Sequence, residues 1–262
     1  MKILTLNCHS WQEENQIDKL KYLAKIIKKN DYDIVGLQEV SQLIKSNIIF
    51  ENVKEDNLMF MLVEELKNLG CYEYDFKWDY SHIGYDIYEE GIGILTKHKI
   101  KDFRSFFISN STNLEFWKTR KIVNVDIEYK DKIYSVYSCH LGWWEDKEEP
   151  FKNQVDKLMK QINKDKTSII LGDFNNDAFM RNHGYDYIIS REFYDTYTLA
   201  EVKDNGATVK GNIAGWEENS KDLRLDLILV NEQLEVKYSR VIFNDKNKKI
   251  ISDHFGVEVQ ID

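Results

Sequence analysis

Asp173 and Asn175 follow an uninterrupted apolar run, Ile169-Ile170-Leu171, with Gly172 between run and carboxylate. Such a run fits a strand buried on both faces. A carboxylate at its end is costly unless it meets a cation or a polar cleft. In α/β sheets, ligands bind beyond the strand ends. On an extended chain residues two apart point the same way, so a carboxylate and an amide are expected to converge there. The same pair also fits an Asx turn, so the reading depends on what else stands at strand ends. Asn7 follows Ile3–Leu6, Glu39 follows Ile34–Leu37, Glu90 precedes an apolar strand, His140 follows Ile133–Cys139, and Asp253-His254 precedes the last strand. Taken singly, Asn7 fits a turn, Glu39 a solvated surface, and His140 a satisfied core histidine. Asp226, read as lying inside the strand Leu223–Val230, is harder to dismiss, because a carboxylate there needs a partner.

Together these residue types suit one chemistry. A hard cation such as Mg²⁺ takes oxygen ligands, one or two of them carboxylates, and Glu39 is the best single candidate. A histidine oriented by a carboxylate acts as a general base on water. His254 with Asp226 is one expected pair, and His140 with Glu90 a second. Asn7, Asp173 and Asn175 then position the metal, the nucleophile and the phosphoryl oxygens. This is the equipment for metal-assisted attack of water on a phosphate ester. The chain has no G-x-S-x-G elbow, no P-loop and no G-x-G-x-x-G, which argues against the chemistries those motifs serve.

The elements that must carry these groups are legible in outline. Ile17, Leu20, Leu23, Ala24 and Ile27 recur at helical spacing between two apolar strands, as in a strand–helix–strand crossover. Asp56 is expected to cap a helix bearing Leu58, Leu62, Leu66 and Leu69, stopped by Gly70. Ile122–Tyr129 and Ile133–Cys139 flank Lys130-Asp131, the pattern of a hairpin. Pro150 opens a helix with Phe151, Val155, Leu158, Met159 and Ile162. A short helix is expected within residues 185–200, and strands over Leu234–Phe243 and Phe255–Ile261. The pattern implies an α/β protein with two sheets packed together and helices outside, as one domain over residues 1–262.

The chain has 262 residues, one proline and 12 glycines, which leaves little room for linkers or low-complexity tracts. Its net charge of −9 argues against a broad nucleic-acid surface and suits binding of divalent cations. Cys8, Cys71 and Cys139 stand at unrelated spacings, as buried thiols in a reducing compartment do. No run approaches membrane-spanning length. A soluble, cytoplasmic protein is expected.

Leu4-Thr5-Leu6-Asn7, Leu37-Gln38-Glu39-Val40, Leu171-Gly172-Asp173-Phe174-Asn175 and Ser252-Asp253-His254 resemble, in order, the motifs of the endonuclease/exonuclease/phosphatase superfamily, which includes DNase I, abasic-site endonucleases, inositol polyphosphate 5-phosphatases and bacterial sphingomyelinases. The resemblance implies a four-layer α/β/β/α sandwich of two mixed sheets. It implies Glu39 as the Mg²⁺ ligand (Mn²⁺ as substitute), with Asn7 beside it and Asp253 as a further metal or supporting carboxylate. Asp173 and Asn175 would orient the nucleophile and hold the phosphate. His254 would be the catalytic histidine paired with Asp226. His140 matches the histidine of DNase I and sphingomyelinases, with Glu90 where its acidic partner would fall. Arg120 resembles a phosphate-binding arginine, although it also fits a solvated strand-edge charge. Trp11-Gln12-Glu13-Glu14-Asn15-Gln16, His140-Leu141-Gly142-Trp143-Trp144 and Ile213-Ala214-Gly215-Trp216 are similar to the RgfB-like bacterial group. Trp11, Trp143, Trp144 and Trp216 lie near motif loops, where tryptophans stack ligands or fill the core; Trp143, Trp144 and Trp216 are expected to touch substrate. The implied activity is Mg²⁺-dependent hydrolysis of a phosphomonoester or phosphodiester with a His/Asp base. A DNase I-like nuclease and a catalytically silent regulatory binder are the alternatives.

Overall fold

A computed structural model describes all residues, 1–262. The strand Lys2–Asn7 buries both faces, and its side chains alternate between two cores. Leu4 and Leu6 pack with Leu20, Leu23, Ala24 and Ile27 of the helix Gln16–Asn30 and with Leu58, Leu62 and Leu66 of the helix Leu58–Asn68. Ile3 turns the other way, into a core shared with Val123, Val125, Ile169, Leu171 and Ile228 of a second sheet. The far side of that sheet presents Ile170, Leu227 and Leu229 to Phe151, Val155 and Leu158 of the helix Phe151–Met159 and to Ile188. Three apolar layers thus separate four layers of structure: helices, sheet, sheet, helices. This is the α/β/β/α sandwich expected from the sequence.

The first sheet has seven strands, ordered Val202–Lys203, Val236–Ile242, Gly256–Ile261, Lys2–Asn7, Ile34–Leu43, Tyr88–Thr96, Asp75–Gly84. The second has six, ordered Tyr194–Asp195, Asp226–Val230, Thr167–Asp173, Lys132–His140, Lys121–Tyr129, Ile100–Phe107. Both are mixed. Lys2–Asn7 runs parallel to Ile34–Leu43 and antiparallel to Gly256–Ile261. Thr167–Asp173 runs parallel to Lys132–His140 and antiparallel to Asp226–Val230. The hairpin turn holds Lys130 at φ 48° and Asp131 at φ 62°, the left-handed pair that matches strand twist. No helix is long and apolar enough to cross a membrane.

Several elements differ from the sequence expectation, each for a local reason. Asn57, not Asp56, caps the second helix, accepting from the amides of Met59 and Phe60; Asp56 instead accepts from Leu43 N at 2.8 Å. The strand from Ile34 does not stop before Glu39 but runs to Leu43 through a bulge between Leu37 and Val40. The strand expected over Leu223–Val230 is broken, so Asp226 starts a strand rather than interrupting one. At the break Thr208 Oγ1 takes the amides of Leu225 and Asp226, at 3.0 and 3.2 Å. The helix after Pro150 ends at Met159, leaving Ile162 outside it. Asp75–Gly84 and Ile100–Phe107 are strands that the sequence pattern does not mark, because charged residues interrupt their apolar alternation.

The two sheets approach closely at Gly36, where a β-carbon would stand 1.8 Å from Leu171 Cδ1. Gly36→Ala is therefore expected to destabilise the protein by about 1–3 kcal/mol through overpacking. Adding Leu171→Ala should cost less than the two single losses summed, because the second change relieves the clash. Urea unfolding of the two single variants and the double variant checks this; strict additivity would count against the close approach.

Candidate active site

Strand register assembles half of the site. Asp173 pairs with His140 on one neighbouring strand and with Asp226 on the other. Adjacent strands lie about 4.8 Å apart, so the three side chains stand in one row across the second sheet. The first sheet supplies Asn7 at the end of its central strand and Glu39 from the bulge, where it adopts φ 51°. Asn7 joins the sheets: Nδ2 donates to Glu39 Oε1 at 2.7 Å and to Asp173 Oδ2 at 3.1 Å. Asn7 is itself held by Ser252, whose hydroxyl donates to its carbonyl at 2.7 Å. Ser252 leads into His254, whose Nδ1 meets Asp226 Oδ2 at 2.9 Å. His254 Nε2 and His140 Nε2 each lie 3.7 Å from Asp173 Oδ2, and His140 Nε2 lies 4.0 Å from Glu39 Oε1. Glu39, His140, Asp173 and His254 open onto a cleft of about 460 Å³, together with Glu90, Arg120 and Asn175.

Asp173 and Asn175 do not share an extended chain. Asp173 ends its strand, Asn175 sits at φ 48°, and the Asn175 amide donates to Asp173 Oδ1 at 2.8 Å. The Asx turn and the site coexist. Asn175 is anchored by Nδ2 on the Leu141 carbonyl at 3.0 Å and by Trp216 Nε1 on its Oδ1 at 3.2 Å.

The expected pairing of His140 with Glu90 is not present. Glu90 Oε1 faces His82 Nε2 at 3.3 Å, since the hairpin register sets His82 opposite Glu90 whereas His140 lies on the other sheet. Reading residues 80–90 as a hairpin around Tyr85-Asp86 would have found that pair. Arg120 is buried, not a solvated edge charge; Nη1 donates to the carbonyls of Trp117 and Thr119 at 2.8 and 3.3 Å. Trp143 lines the cleft and meets Trp117 edge-on at 6.0 Å. Trp144 turns away and packs on Phe151, His183 and Tyr187, so it leaves the set expected to touch substrate. Trp216 packs beside Leu223 and Leu225 and reaches the site only through Asn175. Trp11 donates to Ser41 O at 3.1 Å and packs against the helical layer. Asp253 stands at the mouth with His9 and Glu13, a trio whose ligand atoms lie within 4.8 Å of one another. His9 and Glu13 carry an i, i+4 spacing, the signal in the sequence for this pair.

Electrostatics follow from burying several carboxylates together. Burial, with Glu90 and Asp253 nearby, raises the Glu39 carboxyl to about 8. Burial raises Asp173 to about 6, with His254 opposing and Asp226 adding to the rise. Burial alone would lower His254, but the Asp226 and Asp173 carboxylates overcome it and lift the imidazole to about 10. Burial, with Arg120, His82 and His254 around it, pushes His140 well below its ordinary range, so it is neutral. Burial likewise works against ionised Glu90, yet His82 and Arg120 hold it below the usual carboxylate range. The ligand atoms of Glu39, His140 and Asp173 lie within 4.8 Å of one another. Crowded carboxylates with raised proton affinity are what a hard divalent cation relieves, so the donor set fits Mg²⁺ or a similar ion.

A model of the Endonuclease/Exonuclease/phosphatase family matches residues 5–254. Among solved structures, an endonuclease/exonuclease/phosphatase family protein from Leptotrichia buccalis superposes with a TM-score of 0.95 at 40% identity, covering 100% of this chain and 99% of that one. The mannosyl-6-phosphatase of Bacteroides thetaiotaomicron superposes with a TM-score of 0.74 at 17% identity, covering 100% and 99%. Truncated TDP2 of Caenorhabditis elegans reaches 0.67 at 16% identity, covering 99% and 96%. At those last two identities the likeness is one of fold. No curated protein sequence matches this chain.

Because His254 is raised from 6.5 to about 10, the stability its ion pairing contributes is complete below pH 6.5 and is lost as pH rises through about 10. Asp226→Asn removes the largest of the three raising charges, leaving Asp173 and Asp253 to oppose burial. The His254 titration, followed by imidazole NMR in chelator-treated protein, is expected to fall. An unchanged titration would show that Asp226 does not set the charge of His254.

Proposed function

The chain belongs to the endonuclease/exonuclease/phosphatase family and is a phosphoric ester hydrolase; we propose that it is Mg²⁺-dependent and uses the cleft around Asp173 for in-line attack of water on a phosphate ester. The observation that carries this reading is the convergence on Asp173 Oδ2, which has Asn7 Nδ2 at 3.1 Å and both His140 and His254 Nε2 at 3.7 Å. A single buried oxygen so surrounded is built to hold a polar reactant.

Glu39 is proposed as the principal metal ligand, with Asn7 beside it and Asp253 adding charge at the mouth. When bound, the cation supplies Lewis-acid stabilisation of the charge developing on the phosphoryl oxygens. The chain's own groups divide the remaining work. Asn7 fixes Glu39 and Asp173 at a constant separation. Asn175, locked by Trp216 and Leu141, orients the phosphate. Arg120 adds positive charge on the Glu90 side of the cleft. The sequence points to the His254/Asp226 pair for the proton, and the two side chains lie 2.9 Å apart. Its charge supports a refined division: an imidazole raised to about 10 already holds a proton near neutral pH, so it steadies the phosphoryl oxygens and donates to the leaving oxygen. Asp173, raised to about 6, then takes the proton from water, since a base poised near the working pH is the most effective. The three buried, unpaired cysteines support a reducing, cytoplasmic setting.

Hydrolysis of a generic phosphate ester should require Mg²⁺ or Mn²⁺ and stop in EDTA; turnover that persists in chelator would count against the reading. Glu39→Ala and His254→Ala should each abolish it with the far-ultraviolet circular dichroism unchanged. In saturating Mg²⁺, kcat should fall toward acid pH as Asp173 gains its proton, at a pH below that of the metal-free carboxyl because the cation's charge favours the ionised form. Asp173→Asn should lower kcat by roughly 10²- to 10⁴-fold, the usual contribution of a general base. Retention of wild-type kcat in that variant would return the proton to His254.

A further inference from the structure

The cleft is lined by aromatic rings as well as by the hydrolytic groups. Its walls carry Trp117, 51% exposed, and Tyr85, 68% exposed, beside Trp143. Tyr85 is thrown outward by the hairpin turn, where it and Asp86 adopt φ 52° and 56°. Gly215 lies against the Trp143 ring, with a β-carbon there only 2.7 Å from Cζ2, so the loop at 213–216 holds that indole in place. Trp143 Nε1 has no hydrogen-bond partner within the protein. Gln12 and Glu217 also line the cleft.

Charge then narrows the ligand. Arg120 is the one lysine or arginine among the lining residues, against Glu39, Glu90, Asp173, Glu217 and Asp253. A nucleic-acid strand presents a charge at every phosphate and is gripped by lysine and arginine along its length. This cleft has no such track. It suits one phosphate at the metal end and an uncharged remainder beyond it. Exposed aromatic faces offer a platform for a ring, and carboxylate and amide oxygens accept hydrogen bonds from hydroxyls. The cleft, about 460 Å³, falls in the range of roughly 300–1,000 Å³ usual for small-molecule sites.

We propose that Trp117, Tyr85 and Trp143 form a leaving-group subsite for a neutral, hydroxyl-bearing ring, making the substrate a sugar or cyclitol phosphomonoester. The proposal rests on the hydrolase reading of the same site. In the reaction, the water oxygen bonds to phosphorus and the phosphorus–oxygen bond to the ring carbon's oxygen breaks. Asp173 takes the water proton, His254 protonates the departing oxygen, and the free alcohol and inorganic phosphate leave.

The test compares kcat/KM, in Mg²⁺, for hexose 6-phosphates, myo-inositol 1-phosphate, glycerol phosphate, nucleoside 5′-monophosphates and a single-stranded oligonucleotide. A preference for the ring phosphomonoesters over glycerol phosphate is expected. Trp117→Ala and Tyr85→Ala, both at exposed positions, should each reduce that preference by roughly 2- to 12-fold, the worth of an aromatic contact, through KM rather than kcat. Hydrolysis of glycerol phosphate without any ring preference, or variants that leave the preference intact, overturns the subsite while the hydrolase reading stands. Preference for the nucleotides or the oligonucleotide also overturns it. Failure of every ester to turn over in metal-loaded wild-type protein overturns the hydrolase reading and the subsite with it.

Discussion

Asp173 is a carboxylate with 1% exposure at the end of an apolar strand, and much of the surrounding structure compensates for burying it. An isolated charge in that position is prohibitive. Asn7 gives it one N–H from the opposite sheet, the Asn175 amide gives another, and His254 brings a positive charge within 3.7 Å. His254 in turn depends on Asp226, which lies beside Asp173 in strand register and is itself wholly buried. One buried charge thus recruits a second carboxylate, a histidine and two asparagines. Their mutual repulsion is incomplete in its cancellation, which is why Glu39 and Asp173 keep raised proton affinities and why a divalent cation fits among them.

That electrostatic arrangement is held by features that are unfavourable in themselves. Glu39 and Asn175 both occupy left-handed backbone conformations, which cost of order 1–3 kcal/mol outside glycine. The bulge that strains Glu39 also turns it toward Asn7 while its strand continues to pair as far as Leu43. Gln38, next to it, donates from Nε2 to Ser138 Oγ at 3.1 Å and accepts from Thr5 Oγ1 at 3.3 Å. This fully buried link between the sheets sits two residues before His140. The apolar layers on either side supply the rigidity that keeps these strained positions from relaxing.

The catalytic end and the aromatic end of the cleft obey different rules. At the first, Asp173, Asp226 and His254 are buried and tied to one another and to Asn7 by short polar contacts. At the second, rings stand exposed on turns, with few polar ties. Chemistry demands preorganisation, whereas recognition of a ring asks mainly for area and shape.

What the sequence determined is local. Apolar strands ending in polar residues were legible as Ile3–Asn7 and Ile169–Asp173, because burial on both faces writes a continuous apolar run and a charge at its end is conspicuous; Asp253-His254 was legible just before the last strand. Alternation and helical spacing likewise marked the elements that became the four layers. Tertiary structure decided the partnerships. That Glu90 belongs to His82 rather than His140 follows from a hairpin register in one sheet and the separation of the other. Trp143 faces the cleft and Trp144 the core because successive residues point in different directions, which composition cannot assign. Arg120 is buried with its guanidinium on the carbonyls of Trp117 and Thr119, a placement set by the loop's path. Asp226 opens a strand because Thr208, distant in sequence, takes two amides at the break. Sequence fixes which groups are present and roughly where elements end; which groups meet is set by register and sheet packing, and these depend on contacts between residues far apart in the chain.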